Sequence, residues 1–343
     1  MRIISVVVLF LFFWVTVGVA QITVSGYLKD ADTGEDLVGA NIYVLSAPQT
    51  GRITNAYGYY SLRLDTTPVV LVFSFLGYEE QRLPVTGAED IRLNVELQEG
   101  ISLNEIEVVA REEESNVTGT EMGSFTLPVE KIQKLPALFG EVDLIKSLQL
   151  VPGVVSVGEG NAGLYVRGGG PDQNLVLLDE ALVYNAGHLL GFFSVFNADA
   201  IKTVKLIKGG MPANYGGRLS SVLDIQMKEG NMRQYQVDGG IGLIASRFTV
   251  QGPIKQEESS FILSGRRTYV LDLAQPFLNG TDFEGTNYYF YDLNAKVNYR
   301  FSDKDRLYFS AYFGRDVLEF RNSLRDFTFN LPYGNATATL RWN

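Results

Sequence analysis

The chain has 343 residues, of which 46% are hydrophobic, enough for the cores of roughly two ordinary domains. It has no cysteine and a single histidine, which excludes disulfides, thiolate metal sites and multi-histidine zinc centres. Lys+Arg 29 against Asp+Glu 39 gives a net charge of -10, the wrong sign for a nucleic-acid binder, and no cofactor-binding constellation stands out.

Charge and aromatic residues are unevenly spread. Residues 21–114 carry 6 basic and 16 acidic side chains, a net of -10, whereas 115–343 carry 22 and 23, a net of -1. Of the aromatics, 20 fall in residues 1–230 and 21 in the 113 residues that follow, so the last third has different surroundings from the rest. The opening MRIISVVVLFLFFWVTVGVAQ has one charge, Arg2, then an apolar run over Ile3–Val17 and the small residues Gly18-Val19-Ala20. That is the layout of a secretory signal peptide, and the run is shorter than the roughly 20 residues a membrane helix needs. Residues 1–20 are expected to be a removed export signal.

Residues 21–98 alternate short β-rich runs (ITVSGYL, LVGANIYVL, GYYSLRL, PVVLVFSFLGY, IRLNVELQ) with turn segments at 30–36, 54–58 and 84–90. Strands of this length and spacing predict an antiparallel sandwich, with Gly34 and Gly58 at turns that need positive φ. The succession V-S-G-x-L-x-D, T-G-E-x-L-x-G-A-x-I, T-N-x-x-G-x-Y-S-L and S-F-L-G-Y resembles the carboxypeptidase-regulatory-like, transthyretin-like family. That resemblance implies a small Greek-key sandwich without catalytic residues of its own.

A linker over 99–115 contains Glu105-Ile106-Glu107-Val108-Val109-Ala110, alternating and acid-flanked, as an exposed strand that a partner could join by backbone pairing would be. It resembles the TonB box of outer-membrane receptors, which implies TonB as the partner of residues 105–110.

Residues 116–230 mix helix and strand patterns. A helical turn is expected to begin at Pro128, and an amphipathic helix to run from Glu141 to Leu150, ended by Pro152-Gly153. Strands are predicted over 175–179, 201–207 and 221–227. Arg167-Gly168-Gly169-Gly170-Pro171 lacks the Gly-Lys-Ser/Thr of a phosphate loop and leads into a strand, so its glycines are read as a tight backbone crossing. Gly209-Gly210 and Gly216-Gly217-Arg218 are read as similar corners.

The runs LYVRGGGPDQNLVLLDEALVYN and FNADAIKTVKLIKGGMPANYGGRLSSVLDI closely resemble the plug domain of TonB-dependent outer-membrane receptors. The signature positions are Arg167, Gly168, Asp179, Gly209, Gly210, Gly216, Gly217 and Arg218. Glu180 departs from the family's usual glycine after the aspartate, which puts the detail of that turn in question. Tyr184, Asn185 and His188 follow the first strand. His188 reads as a hydrogen-bonded loop histidine, with contact to a substrate as the sharper alternative for all three, since plug loops of the family can face the substrate.

From 231 to 343 apolar and polar residues alternate strictly. Leu293, Ala295, Val297, Tyr299 and Phe301 share one parity and Asn294, Lys296, Asn298 and Arg300 the other. The same holds over 306–313 and 335–342, and a parity slip near Gly242 separates two strands, giving about six. Short connections at 252–258 and 302–305, with long ones at 271–287 and 321–332, fit a transmembrane barrel facing lipid. Six strands fall below the roughly eight that close such a barrel, so the chain is expected to be a fragment.

The fold expected is therefore mainly β with a small α+β domain: a transthyretin-like sandwich, a plug, and the first strands of an incomplete transmembrane β-barrel. The resemblance implies a TonB-dependent receptor, not an enzyme, in the outer membrane with its sandwich in the periplasm. Its cargo would be an extracellular small molecule, saccharide or peptide. The rival reading is an exported β-rich surface-binding or adhesion protein. An exported hydrolase would rest on His188 alone.

Overall fold

The computed structural model describes residues 21–343 except 56, 88, 101–122, 130–131, 133–140, 157–162, 189–190, 303–304 and 323–326. The expected signal (1–20) and residues 105–110 lie outside the described residues. The chain divides into two compact units, the first holding the sandwich apart from Thr33–Glu35, and the second holding those three residues and everything from residue 104 onward.

The first unit contains strands β1 Ile22–Asp30, β2 Asn41–Val44, β3 Ala47–Ile53, β4 Tyr59–Leu64, β5 Val69–Ser74, β6 Gln81–Val85, β7 Ile91–Arg92 and β8 Val95–Leu97. Alternate residues of β1 are buried, so Val24 and Leu28 meet Ile42, Leu62, Leu71, Phe73 and Leu97 in one core. Gly34 and Gly58 take positive φ, as their turns require. Two expectations change. The sandwich is not purely antiparallel, because β7 and β8 both run parallel to β1, which pairs antiparallel with β4. The run 91–98 also breaks in two: the Leu93 carbonyl accepts from the Tyr60 hydroxyl at 2.7 Å, and the Asn94 side chain accepts from the Tyr27 N–H at 3.0 Å. The second sheet, β3-β2-β5-β6, has edge strands that the hydropathy pattern does not reveal. Strand β3 is largely exposed and polar, and Pro84 in β6 sits where an edge strand tolerates a missing N–H.

The second unit begins with a five-stranded sheet ordered β13-β12-β17-β16-β9, from β9 Ser124–Pro128, β12 Asn174–Leu178, β13 Ala181–Leu182, β16 Ile201–Ile207 and β17 Ser221–Met227. Two short pairs accompany it, β10 Val154–Val155 with β11 Tyr165–Val166, and β14 Gly187–His188 with β15 Phe193–Ser194. Pro128 ends β9, which pairs with β16 over residues 124–128, and the expected helical turn follows at once, with Val129 and Ile132 helical. The helix expected over 141–150 shrinks to α1, Leu144–Leu148, because Asp143 stays extended and caps it by accepting from the Lys146 N–H. Leu144, Ile145 and Leu148 pack against Val176, Leu178, Val204, Leu223 and Ile225.

Residues 236–342 form a six-stranded antiparallel meander: β18 Gln236–Ile241, β19 Ala245–Lys255, β20 Ser259–Thr268, β21 Asn287–Arg300, β22 Arg306–Asn322 and β23 Phe327–Trp342. A helix, α2 Val270–Leu278, lies in the β20–β21 connection. The long loop expected over 321–332 is instead mostly ladder, with Phe320 paired to Phe329 and Asn322 to Phe327. Residues 327–330 are exposed on both faces, yet Phe327 and Phe329 alternate with Thr328 and Asn330, a strand signal that the loop expectation passed over.

The polarity of this sheet is inverted relative to a soluble one. Its exposed face carries Leu263, Leu293, Val297, Phe309, Phe313, Leu340 and Trp342, with Leu293 50% exposed. Its buried face carries Ser264, Arg266, Asp292, Asn294, Lys296, Asn298 and Ser310, with Lys296 4% exposed. Leu293, Ala295, Val297 and Tyr299 stand in register with Phe313, Ala311, Phe309 and Leu307, a continuous apolar band. At one end the band stops at Arg267, Tyr291 and Arg315, which are also in register. At the other, Phe301 stacks on Trp342 at 5.2 Å between ring centres. An apolar band bordered by aromatic and basic residues suits a bilayer. Among the described residues no helix is long and apolar enough to cross a membrane.

Candidate functional site

The buried face of the meander is a polar wall, and the middle region fills it. Near one end, Ser260 and Asn298 donate to the Glu229 carbonyl at 2.8 and 2.9 Å. Further along, Lys296 Nζ donates to the Met227 carbonyl at 3.0 Å and lies 3.0 Å from Asp179 Oδ2. Asn197 donates to Ser264 at 2.8 Å, and Ser264 shares a further 2.8 Å hydrogen bond with Thr249. Buried polar groups cost free energy unless partnered, so these inward side chains are matched by the groups facing them.

At the far end lies a cluster of ionisable groups from four elements. The β14–β15 pair brings in His188, with Nε2 2.7 Å from Asp292 Oδ1 and Nδ1 2.6 Å from Asp316 Oδ2. Its ring is stacked on Phe290 with centres 4.0 Å apart. Asp292 Oδ2 accepts from Arg266 Nε at 2.9 Å and Nη2 at 2.6 Å, and Oδ1 also accepts from the Tyr312 hydroxyl at 2.8 Å. Arg266 Nη2 reaches the Ser194 carbonyl at 2.8 Å, and Nη1 lies 3.6 Å from Glu141 Oε2. Tyr288 donates to the other oxygen of Asp316. Gly314 leaves room for this packing, since a Cβ there would overlap the Tyr312 hydroxyl and come within 2.8 Å of Asp292.

Burial alone would lower the affinity of His188 for its proton. The Asp292 charge and the hydrogen bonds to Asp292 and Asp316 outweigh that and hold its pKa above the usual histidine value, against a smaller opposing effect of Arg266. Burial pushes the Glu141 carboxyl up, only partly offset by Arg266 and Arg247. The arrangement holds charge and position. With both ring nitrogens engaged by buried carboxylates, His188 is not arranged as a general base.

Other residues singled out by sequence fall into three groups. Arg167, itself at φ 49, lays its guanidinium against Gly209, where a Cβ would sit 2.6 Å from Nη1. Gly168, Gly210 and Gly217 take positive φ, while Gly216 has open space around it and Arg218 donates to the Gly217 carbonyl. Asp179 and Glu180 make the two-residue β12–β13 turn at φ 45 and 71, so the turn is kept although neither residue is glycine. Asp179 also accepts from the Met227 N–H at 3.0 Å. Tyr184 is 82% exposed, and Asn185 exchanges hydrogen bonds with Asn335 of β23. His188, by contrast, is 1% exposed.

Sequence reasoning passed over Arg266, Asp292, Asp316 and Glu141. For Arg266, Asp292 and Asp316 the available signal was inward parity, since a charge on the lumen side of a strand must meet a partner; Glu141, outside the wall strands, carried no such signal. Which partner was not readable, because Asp292 and Asp316 lie 104 and 128 residues from His188.

A sheet that is apolar outside and polar inside, with its polar face occupied by a separate α+β globule, defines a plugged outer-membrane β-barrel architecture. Two family models match: the CarboxypepD_reg-like domain over residues 24–110 and the TonB-dependent Receptor Plug Domain over 126–221. The chain thus carries a CarboxypepD_reg-like domain followed by a TonB-dependent receptor plug domain. It is 29% identical to TonB-dependent receptor SusC of Bacteroides thetaiotaomicron over 231 residues, covering 62% of this chain and 22% of the relative. It is likewise 29% identical to TonB-dependent receptor P39 of Formosa agariphila over 179 residues, or 47% and 17% of the two chains. The chain thus spans about a fifth of the length of these curated relatives. Among solved structures it is similar to the siderophore receptor PirA of Acinetobacter baumannii, with 19% identity, TM-score 0.42 and coverage of 62% and 33%. It is also similar to the outer membrane transporter YddB of Escherichia coli, with 14% identity, TM-score 0.44 and coverage of 64% and 36%. The matched relatives are receptors and transporters, not enzymes.

Proposed function

We propose that the chain serves energy-coupled uptake of a substrate across the outer membrane. In this reading residues 1–20 direct export, 21–98 form a periplasmic sandwich, 99–115 link it to a plug at 116–230, and 231–343 begin the barrel. The observation that carries it is the inverted polarity of the six-stranded wall together with the hydrogen-bonded seating of the middle region on its polar face. A surface adhesin would have no use for such a face, and its product would be soluble, whereas this wall calls for detergent extraction.

Substrate binds from outside while the plug closes the lumen. TonB pairs with Glu105–Ala110 by strand addition, and a pull transmitted along the linker displaces part of the plug. No covalent step is required; the residues hold, block and release. The cargo is an extracellular small molecule, saccharide or peptide. Deleting residues 105–110 from the complete receptor is expected to abolish uptake and leave substrate binding intact. Undiminished uptake by the deletion variant would remove the box assignment.

A further inference from the structure

The cluster at the wall has a chemical requirement beyond seating. A neutral imidazole carries one N–H, yet both ring nitrogens of His188 stand within 2.7 Å of carboxylate oxygens. Only the doubly protonated ring donates to both. A neutral ring would set a nitrogen lone pair against Asp292 or Asp316 in a site closed to water. We propose that His188 is a proton-dependent clamp: as an imidazolium it bridges β21 and β22 and holds the 184–195 segment of the plug to the wall, so that displacing this segment releases one proton.

The inference rests on the plug reading and goes beyond it by assigning a proton to the motion. The groups around the ring are Asp292, Tyr288 and Phe290 of β21, Asp316 and Tyr312 of β22, and Arg266 of β20. On the plug side, Glu141 reaches Arg266, and Lys146 lies over the Phe192 ring at 4.5 Å. Arg266 balances one of the two aspartates; the imidazolium balances the other. Once the segment leaves the wall, His188 returns to an ordinary affinity, near pH 6.5, and gives up its proton at neutral pH.

The seated state has the raised pKa, so its extra stability is complete below about pH 6.5 and is lost as pH rises through the seated value. Between those limits one released proton makes displacement about tenfold more favourable per pH unit. Glu141, also raised when seated, acts with the same sign, so Glu141→Gln isolates the histidine.

The test is hydrogen exchange of residues 184–195 in the full receptor in detergent from pH 6.5 to 9.5, corrected for the intrinsic exchange rate. In the Glu141→Gln background, protection is expected to fall steeply above neutral pH, toward tenfold per unit. With Asp316→Asn, whose amide can donate to a neutral ring, the slope should largely vanish while the histidine remains. His188→Gln should be less protected at pH 6.5 and show no slope. A flat profile in the Glu141→Gln receptor, or an undiminished slope in His188→Gln, overturns the clamp. Neither substrate nor TonB is needed, so the result is independent of the uptake test on residues 105–110.

Discussion

Arg266→Met offers a quantitative check on the plug seat. Arg266 is buried and makes three hydrogen bonds, two to one oxygen of Asp292 and one to the Ser194 carbonyl. Methionine fills much of the same volume but leaves Asp292 with His188 and Tyr312 alone, and the Ser194 carbonyl without that donor. Breaking one side of a buried pair costs about 3–5 kcal/mol, against the roughly 0.5–1.5 kcal/mol of an ordinary hydrogen bond. The opening equilibrium of the 184–195 segment should therefore rise roughly 150- to 5,000-fold. Hydrogen exchange of that segment would read this, with β-sheet circular dichroism reporting on the wall. Arg266→Met with Asp292→Asn removes both charges and should recover part of the loss, so the two effects should not add. Less than a tenfold change in the single variant, or strict additivity in the double, would refute this account of the seat.

Two further outcomes follow from the same geometry. Ala295→Arg, at mid-band between Leu263 and Ala311, is expected to destabilise the complete barrel in lipid by about 2–4 kcal/mol in denaturant titrations; a neutral effect would mean that this face does not meet hydrocarbon. At Glu180, glycine and alanine both remove the ion pair to Arg341, yet glycine should give the more stable plug by about 1 kcal/mol, reversing the usual order, because the residue sits at φ 71. Equal stabilities in plug unfolding would show that the turn relaxes out of the left-handed region.

How much was legible depended on whether a signal was local. The strands 201–207 and 221–227 were readable to the residue because each is apolar enough to be core and bounded by glycine or polar punctuation. Edge strands β3 and β6 were not, because β3 is polar and largely exposed and Pro84 gives β6 the look of a turn, although Val85 reaches the core. The parity of β21 and β22 gave two faces without saying which was inside. A soluble sheet and a barrel wall write the same alternation.

The sequence by itself determined the order of the modules, the glycine corners and the two faces of the wall strands over 293–300, 306–313 and 335–342, since these depend on side-chain type and short-range spacing. Only the tertiary structure decided which face was buried, that Asp179 would meet Lys296, and that the single histidine would be gripped by two aspartates more than a hundred residues away. The reason is physical. An apolar residue needs only to be out of water, and many neighbours will serve. A buried charge must be matched by a particular opposite group, and chain folding alone brings that group to it.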